Sequence, residues 1–199
     1  MISNFLNKIV EGTKNSYTVL KTGSSTIPWI KNPHDTDYAI FFDDVGDAIL
    51  AYKNFHKYVD MKPDNNCVII HIDAINTPKY CWWAYQLLFA KTLHGNEKTL
   101  YQYKDMKEFI ENPTEETRKH IARDIHDSFF KVWCYTKHFD ENPKILYHVY
   151  IWKCLLEKGN LNLTEEEGRM VNDLHDRKFS KEELDRMKEG FEEFFKQYL

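Results

Sequence analysis

The chain has 199 residues with 42% hydrophobic and 15% aromatic side chains and a formal net charge of -4, enough length and apolar area for one domain or two small ones and too much for a disordered or acidic-tail protein. The charge is uneven: residues 163 to 199 hold seven Lys/Arg against eleven Asp/Glu, so that segment carries -4 and the remainder balances at zero. No basic stripe is visible, which argues against strong duplex-DNA binding, and no apolar run approaches the length needed to span a bilayer.

In chain order, Ile2, Phe5, Leu6, Ile9 and Val10 recur at helical spacing and predict a helix over residues 2 to 11. The same segment, MISNFLNKIVEGTKNS, lacks a basic stretch leading into an uninterrupted apolar run, so a cytoplasmic protein is expected. SYTVLKTG reads as a β-prone run ending on glycine, and TIPWIKNPH is a loop with two prolines before a strand from about Asp35 to Phe42. Asp43 and Asp44 suit a helix N-terminus ahead of Ala48, Ile49, Tyr52, Phe55 and Val59, and CVIIHID at 67 to 73 reads as a third strand. Helices are then predicted over 78–93, 103–111, 115–139, 143–157, 164–176 and 180–198, several opening on signals such as Thr164 with three glutamates or Ser180 followed by Glu183. The order of elements gives an α+β protein: a sheet-containing part over residues 1–100 and an all-helical part over 101–199, with the boundary near 95 to 112.

The chemistry concentrates in GSSTIPWIKNPHDTDYAIFF, residues 23 to 42. Gly23 permits a tight turn, and Ser24-Ser25 can open a helix whose backbone N–H groups face an anion, most commonly phosphate. Asp35 and Asp37 are two apart, so on a strand their carboxylates share a face and repel; a divalent cation between them would relieve that repulsion. Asp73 ends the third predicted strand and could reach the same ion or a second one. Three carboxylates beside a phosphate cradle suit phosphoryl or nucleotidyl transfer with two metal ions.

The order of Gly23-Ser24, Asp35-Thr36-Asp37-Tyr38 and Ile72-Asp73-Ala74, each at a predicted strand end, resembles the nucleotidyltransferase superfamily of the DNA polymerase β type over residues 17 to 75. Further on, Lys144 to Leu184, KILYHVYIWKCLLEKGNLNLTEEEGRMVNDLHDRKFSKEEL, looks like the helical tail of bacteriophage-encoded nucleotidyltransferases. The resemblance implies a small mixed β-sheet core followed by the helical half, magnesium or manganese held by Asp35, Asp37 and Asp73, and a nucleoside triphosphate held at Gly23, Ser24 and Ser25. Lys144 and His148, one helical turn apart, are the expected additional triphosphate contacts; their structural alternative is a solvent lysine and a core-edge histidine. The implied reaction moves a nucleoside monophosphate onto a hydroxyl of RNA, protein or a small molecule. A catalytically idle relative acting as a binding or inhibitory protein is the alternative, and a nucleic-acid-binding module is a third reading.

The remaining constellations point to structure. Cys67, Cys81, Cys134 and Cys154 form no CxxC pair and read as buried free thiols. Among nine histidines there is no HExxH, and no phosphate loop of the GxxxxGK[ST] type occurs. His71 shares a predicted strand face with Asp73 and would either hydrogen-bond that carboxylate or pack. Trp83, Leu87 and Ala90 form a stripe expected in a helix core.

Overall fold

The computed structural model describes residues 4–14, 16–58, 65–71, 84–96, 111–130 and 146–198. They form two compact units, one comprising residues 1–28, 33–78 and 86–108, the other residues 29–32, 79–85 and 109–199.

The first unit is built on a mixed four-stranded sheet of β1 (Tyr17–Thr22), β2 (Thr36–Phe42), β3 (Asn65–His71) and β4 (Lys91–His94), in the order β3-β2-β1-β4. β1 runs antiparallel to both β2 and β4, whereas β2 and β3 are parallel. Helices α1 (Asn4–Ile9) and α2 (Val45–Tyr58) supply the apolar layer. Tyr17 pairs with Phe42 and Val19 with Ile40, so alternation sends all four side chains to one face. There they pack with Phe5, Leu6, Ile9, Ala48, Ala51 and Cys67. Thr18, Leu20, Thr22, Ala39 and Phe41 point to the opposite face and are also buried. Thr22 donates its hydroxyl there to Gln86 Oε1 at 3.2 Å.

One predicted helix is replaced by other structure. Within residues 78–93, residues 84–89 form a 3-10 segment and 91–94 are strand β4. The helical spacing of Trp83, Leu87 and Ala90 is outweighed by pairing: Leu20 meets Thr92 and Lys21 meets Lys91, which satisfies the second edge of β1. The predicted helix at 103–111 lies outside the described residues except for its last position, and residues 131–145 lie outside them entirely.

Burial has a chemical consequence in this layer. Cys67 is 7% exposed, and burial pushes its thiol up to about 12, with the Asp37 charge adding to the rise. A raised folded-state value means that the stability from keeping this thiol protonated is complete below the unfolded value, roughly 8.5. It is lost as pH climbs from there through about 12. The urea midpoint of the wild type is therefore expected to fall faster above pH ~9 than that of Cys67→Ala, the two curves running parallel at lower pH. Curves that stay parallel to pH ~11 would contradict this.

The second unit contains α3 (Glu115–Asp124), continued by a π-helical turn at Ile125–Phe130, then α4 (Leu146–Lys158), α5 (Glu165–His175) and α6 (Lys181–Lys196). α4 is the central element: nine of its thirteen residues are buried, Trp152 and Leu155 completely, and both α5 and α6 pack on it. The starts of α5 and α6 are full capping boxes, Thr164 with Glu167 and Ser180 with Glu183. Ser180→Ala removes the acceptor for the Glu183 N–H and is expected to cost about 1 kcal/mol, read as a lower urea midpoint. Among the described residues no helix is long and apolar enough to cross a membrane.

Candidate functional site

The two halves of the GSSTIPWIKNPHDTD stretch meet at one end of the sheet. β1 ends at Thr22, β2 begins at Thr36, and antiparallel pairing sets Thr22 opposite Asp37. Gly23, immediately beyond, adopts φ 77 and ψ -169, a conformation open essentially to glycine alone. Its bare Cα is what allows the Asp37 carboxylate to lie against the turn: a Cβ at position 23 would sit 2.7 Å from Asp37 Cβ. Ser24 Oγ donates to Asp35 Oδ1 over a long 3.4 Å. Gly23, Ser24, Asp35 and Asp37 are thus gathered at one place, with both carboxylates half-buried on the sheet face away from α1 and α2.

The turn differs from the helix expected at Ser24-Ser25. Residues Ser24–Thr26 make a single 3-10 turn, closed by hydrogen bonds from Thr26 N to Gly23 O at 3.0 Å and from Ile27 N to Ser24 O at 3.3 Å. Pro28 follows, and a residue before proline is driven to extended backbone, as Ile27 is at φ -75 and ψ 121. A helix cannot propagate past that point, so the macrodipole of a longer helix does not contribute here. Two hydroxyls are already engaged: Ser25 Oγ donates to Thr22 O at 3.2 Å and Thr26 Oγ1 to Gly23 O at 2.9 Å. They stiffen the turn.

β3 lies beside β2, and its parallel direction carries its C-terminal end away from the aspartate pair. Asn66 is level with Asp37, whereas His71, the last residue of the strand, is level with Phe42, roughly 16 Å further along. Asp73 and Lys144 lie outside the described residues. Among the described residues no group of three or more His, Cys, Asp or Glu side chains could hold a metal ion. Asp35 and Asp37 remain a pair of hard oxygen donors whose mutual repulsion suits magnesium or manganese.

His148 belongs to the second unit, where it is 6% exposed in α4. Its Nδ1 lies 2.7 Å from the Tyr85 hydroxyl, and its ring sits 3.9 Å from that of Tyr147. Sequence reasoning missed a second polar cluster in this unit, on α5. Lys31 N donates to Asn172 Oδ1 at 2.9 Å, Asn172 Nδ2 donates to Asp176 Oδ2 at 3.3 Å, and Asp176 Oδ1 is 3.1 Å from His175 Nδ1. The hydrogen bond from His175, helped by Lys178, holds the Asp176 carboxyl below its ordinary range. The available signal was Gly168 and Asn172, two poor helix formers inside an otherwise regular helix. No protein-family model matches the chain, and no curated protein matches it in sequence, so the functional reading rests on the geometry of the turn and the aspartate pair.

Proposed function

We propose that the protein is a metal-dependent nucleotidyltransferase that moves a nucleoside monophosphate from a nucleoside triphosphate to an acceptor hydroxyl on RNA, protein or a small molecule. The observation that supports this reading is the close approach of Gly23 to Asp37, which seats a rigid serine-bearing turn directly against two paired carboxylates. Asp35 and Asp37 would hold the divalent cation, which when bound lowers the proton affinity of the acceptor hydroxyl and offsets the charge of the triphosphate. The turn at Gly23, Ser24 and Ser25 would orient the phosphates, and the bare Cα of the glycine lets Asp37 lie beside them. Transfer then joins the acceptor oxygen to the α-phosphorus and releases pyrophosphate. Asp73 is proposed to support the metal, in keeping with the resemblance over residues 17 to 75.

The test is incubation with α-phosphate-labelled nucleoside triphosphates, magnesium and a bacterial cell extract. Label is expected to pass to a macromolecule or small acceptor with at least one nucleotide; a complete lack of transfer with all four would contradict the enzymatic reading. The second reading, a nucleotidyltransferase-like protein that binds without turnover, is favoured by one observation: the β3 residue level with Asp37 is the amide Asn66 and not an acid. It predicts stabilisation by magnesium and a nucleoside triphosphate with no label transferred.

A further inference from the structure

Helix α2 is turned so that its small residues face inward and its large apolar ones outward. Its buried residues are Asp47, Ala48 and Ala51: the alanines join the apolar core of the first unit, and Asp47 accepts from Lys14 N at 2.9 Å. Val45, Ile49 and Tyr52, by contrast, are 60%, 52% and 56% exposed. Among the described residues they are three of the four exposed large hydrophobic side chains, the fourth being Leu93 on β4. Spaced by four and then three residues, and continued by exposed His56 four further on, they line one side of the helix. Tyr52 and His56 meet edge to face with ring centroids 4.3 Å apart, which stiffens that end of the stripe. A helix that served only to cover the sheet would bury Ile49 and Tyr52; apolar side chains gathered on one exposed stripe mark an interface.

The charges around the stripe say what fits it. Asp43 and Asp44 lie at the N-terminal end of α2, and Lys53, His56 and Lys57 are exposed in its last two turns. The surface is acidic at one end, basic at the other and apolar between. Turned end for end, it is complementary to itself: each acidic end meets a basic one, and the two helix dipoles oppose. A two-fold axis produces that arrangement from identical chains. We propose that the exposed face of α2 is a homodimer interface, in which Val45, Ile49 and Tyr52 of two copies pack antiparallel. α2 covers the sheet face opposite the aspartate pair, so the inference does not rest on the nucleotidyltransferase reading. The helix has 14 residues and is about 21 Å long. A contact confined to it falls below the roughly 1,200 Å² of standard interfaces, so the dimer is weak, with a dissociation constant of about 10 to 100 μM.

The experiment is sedimentation equilibrium of the full chain from about 1 to about 500 μM, a range that brackets that constant. It compares wild type, Ile49→Glu, Leu93→Glu, and Lys53→Glu combined with Lys57→Glu. The wild type is expected to pass from monomer to dimer across the range. Ile49→Glu should raise the dissociation constant roughly tenfold or more with an unchanged circular dichroism spectrum, since the position is exposed. Leu93→Glu, exposed but off α2, should leave it within about twofold, which separates this face from surface apolarity in general. The double lysine variant should raise the constant roughly fivefold, and the wild-type constant should rise severalfold between about 50 and about 300 mM NaCl. A wild type that stays monomeric, whether the face is bare or taken by another protein, would overturn the proposal, as would a dimer that Ile49→Glu leaves intact. A dimer tightened by salt would set like charges together and so contradict the antiparallel pairing. Should Ile49→Glu not fold, Tyr52→Ser carries the same comparison.

Discussion

Asp37→Ala is expected to abolish nucleotidyl transfer, a loss of roughly 10³-fold or more, while the protein still folds cooperatively. The two parts of that expectation have separate grounds. Asp37 is the second residue of β2, on the sheet face away from the α1 and α2 layer, and it is half-buried and outside the apolar core, so truncation opens no large cavity. Its removal also relieves the repulsion between its carboxylate and that of Asp35. With only Asp35 left as a donor at that strand end, the cation loses half of its described ligand pair, and the triphosphate loses the charge that would hold it. Stability without metal should therefore change little, whereas the stabilisation given to the wild type by magnesium and nucleotide should vanish. Undiminished labelling by Asp37→Ala would exclude the metal site; a large loss of metal-free stability would instead show that the carboxylate is structural.

Gly23→Ala is expected to lower stability as well as binding. At φ 77 and ψ -169 any side chain is strained, a cost of about 1 to 3 kcal/mol before contacts are considered. Contacts make it worse: the added Cβ would collide with Asp37 Oδ2 and sit 2.7 Å from Asp37 Cβ and Cγ, so turning the carboxylate aside does not relieve the clash at Cβ. β1 and β2 must then separate at the Thr22–Asp37 pair or the turn must open. A fall in stability of about 3 kcal/mol is the expected total, seen in the urea midpoint, with loss of magnesium-nucleotide stabilisation. A Gly23→Ala protein as stable as the wild type would mean that the turn is not held against Asp37.

Much of the frame was legible because local signals agree with tertiary placement. Tyr17–Thr22 and Thr36–Phe42 are dense in β-branched and aromatic residues, and both strands are where those runs predict them. The Ser/Thr-x-x-Glu signatures at 164 and 180 mark helix starts one residue later, since a cap depends only on its own turn. Strand β4 was not legible, because Lys91–His94 is extended only on account of the edge of β1 that it completes. Nor was the direction of β3, which depends on the path taken between strands and not on the composition of CVIIHID. The meeting of Gly23 with Asp37 follows from motif order together with antiparallel pairing of neighbouring strands. The hold of Asn172 on Lys31 spans 141 positions, and no local pattern encodes it.

The most direct test of the central claim is paramagnetic broadening by manganese, added with a nucleoside triphosphate to isotope-labelled protein. The amides of Gly23, Ser24 and Ser25 and those of Asp35 and Asp37 should broaden together and first, and Asp37→Ala should abolish the effect. Broadening centred elsewhere in the chain, or broadening at these amides that persists in Asp37→Ala, would contradict a shared metal and phosphate site at the Gly-Ser turn.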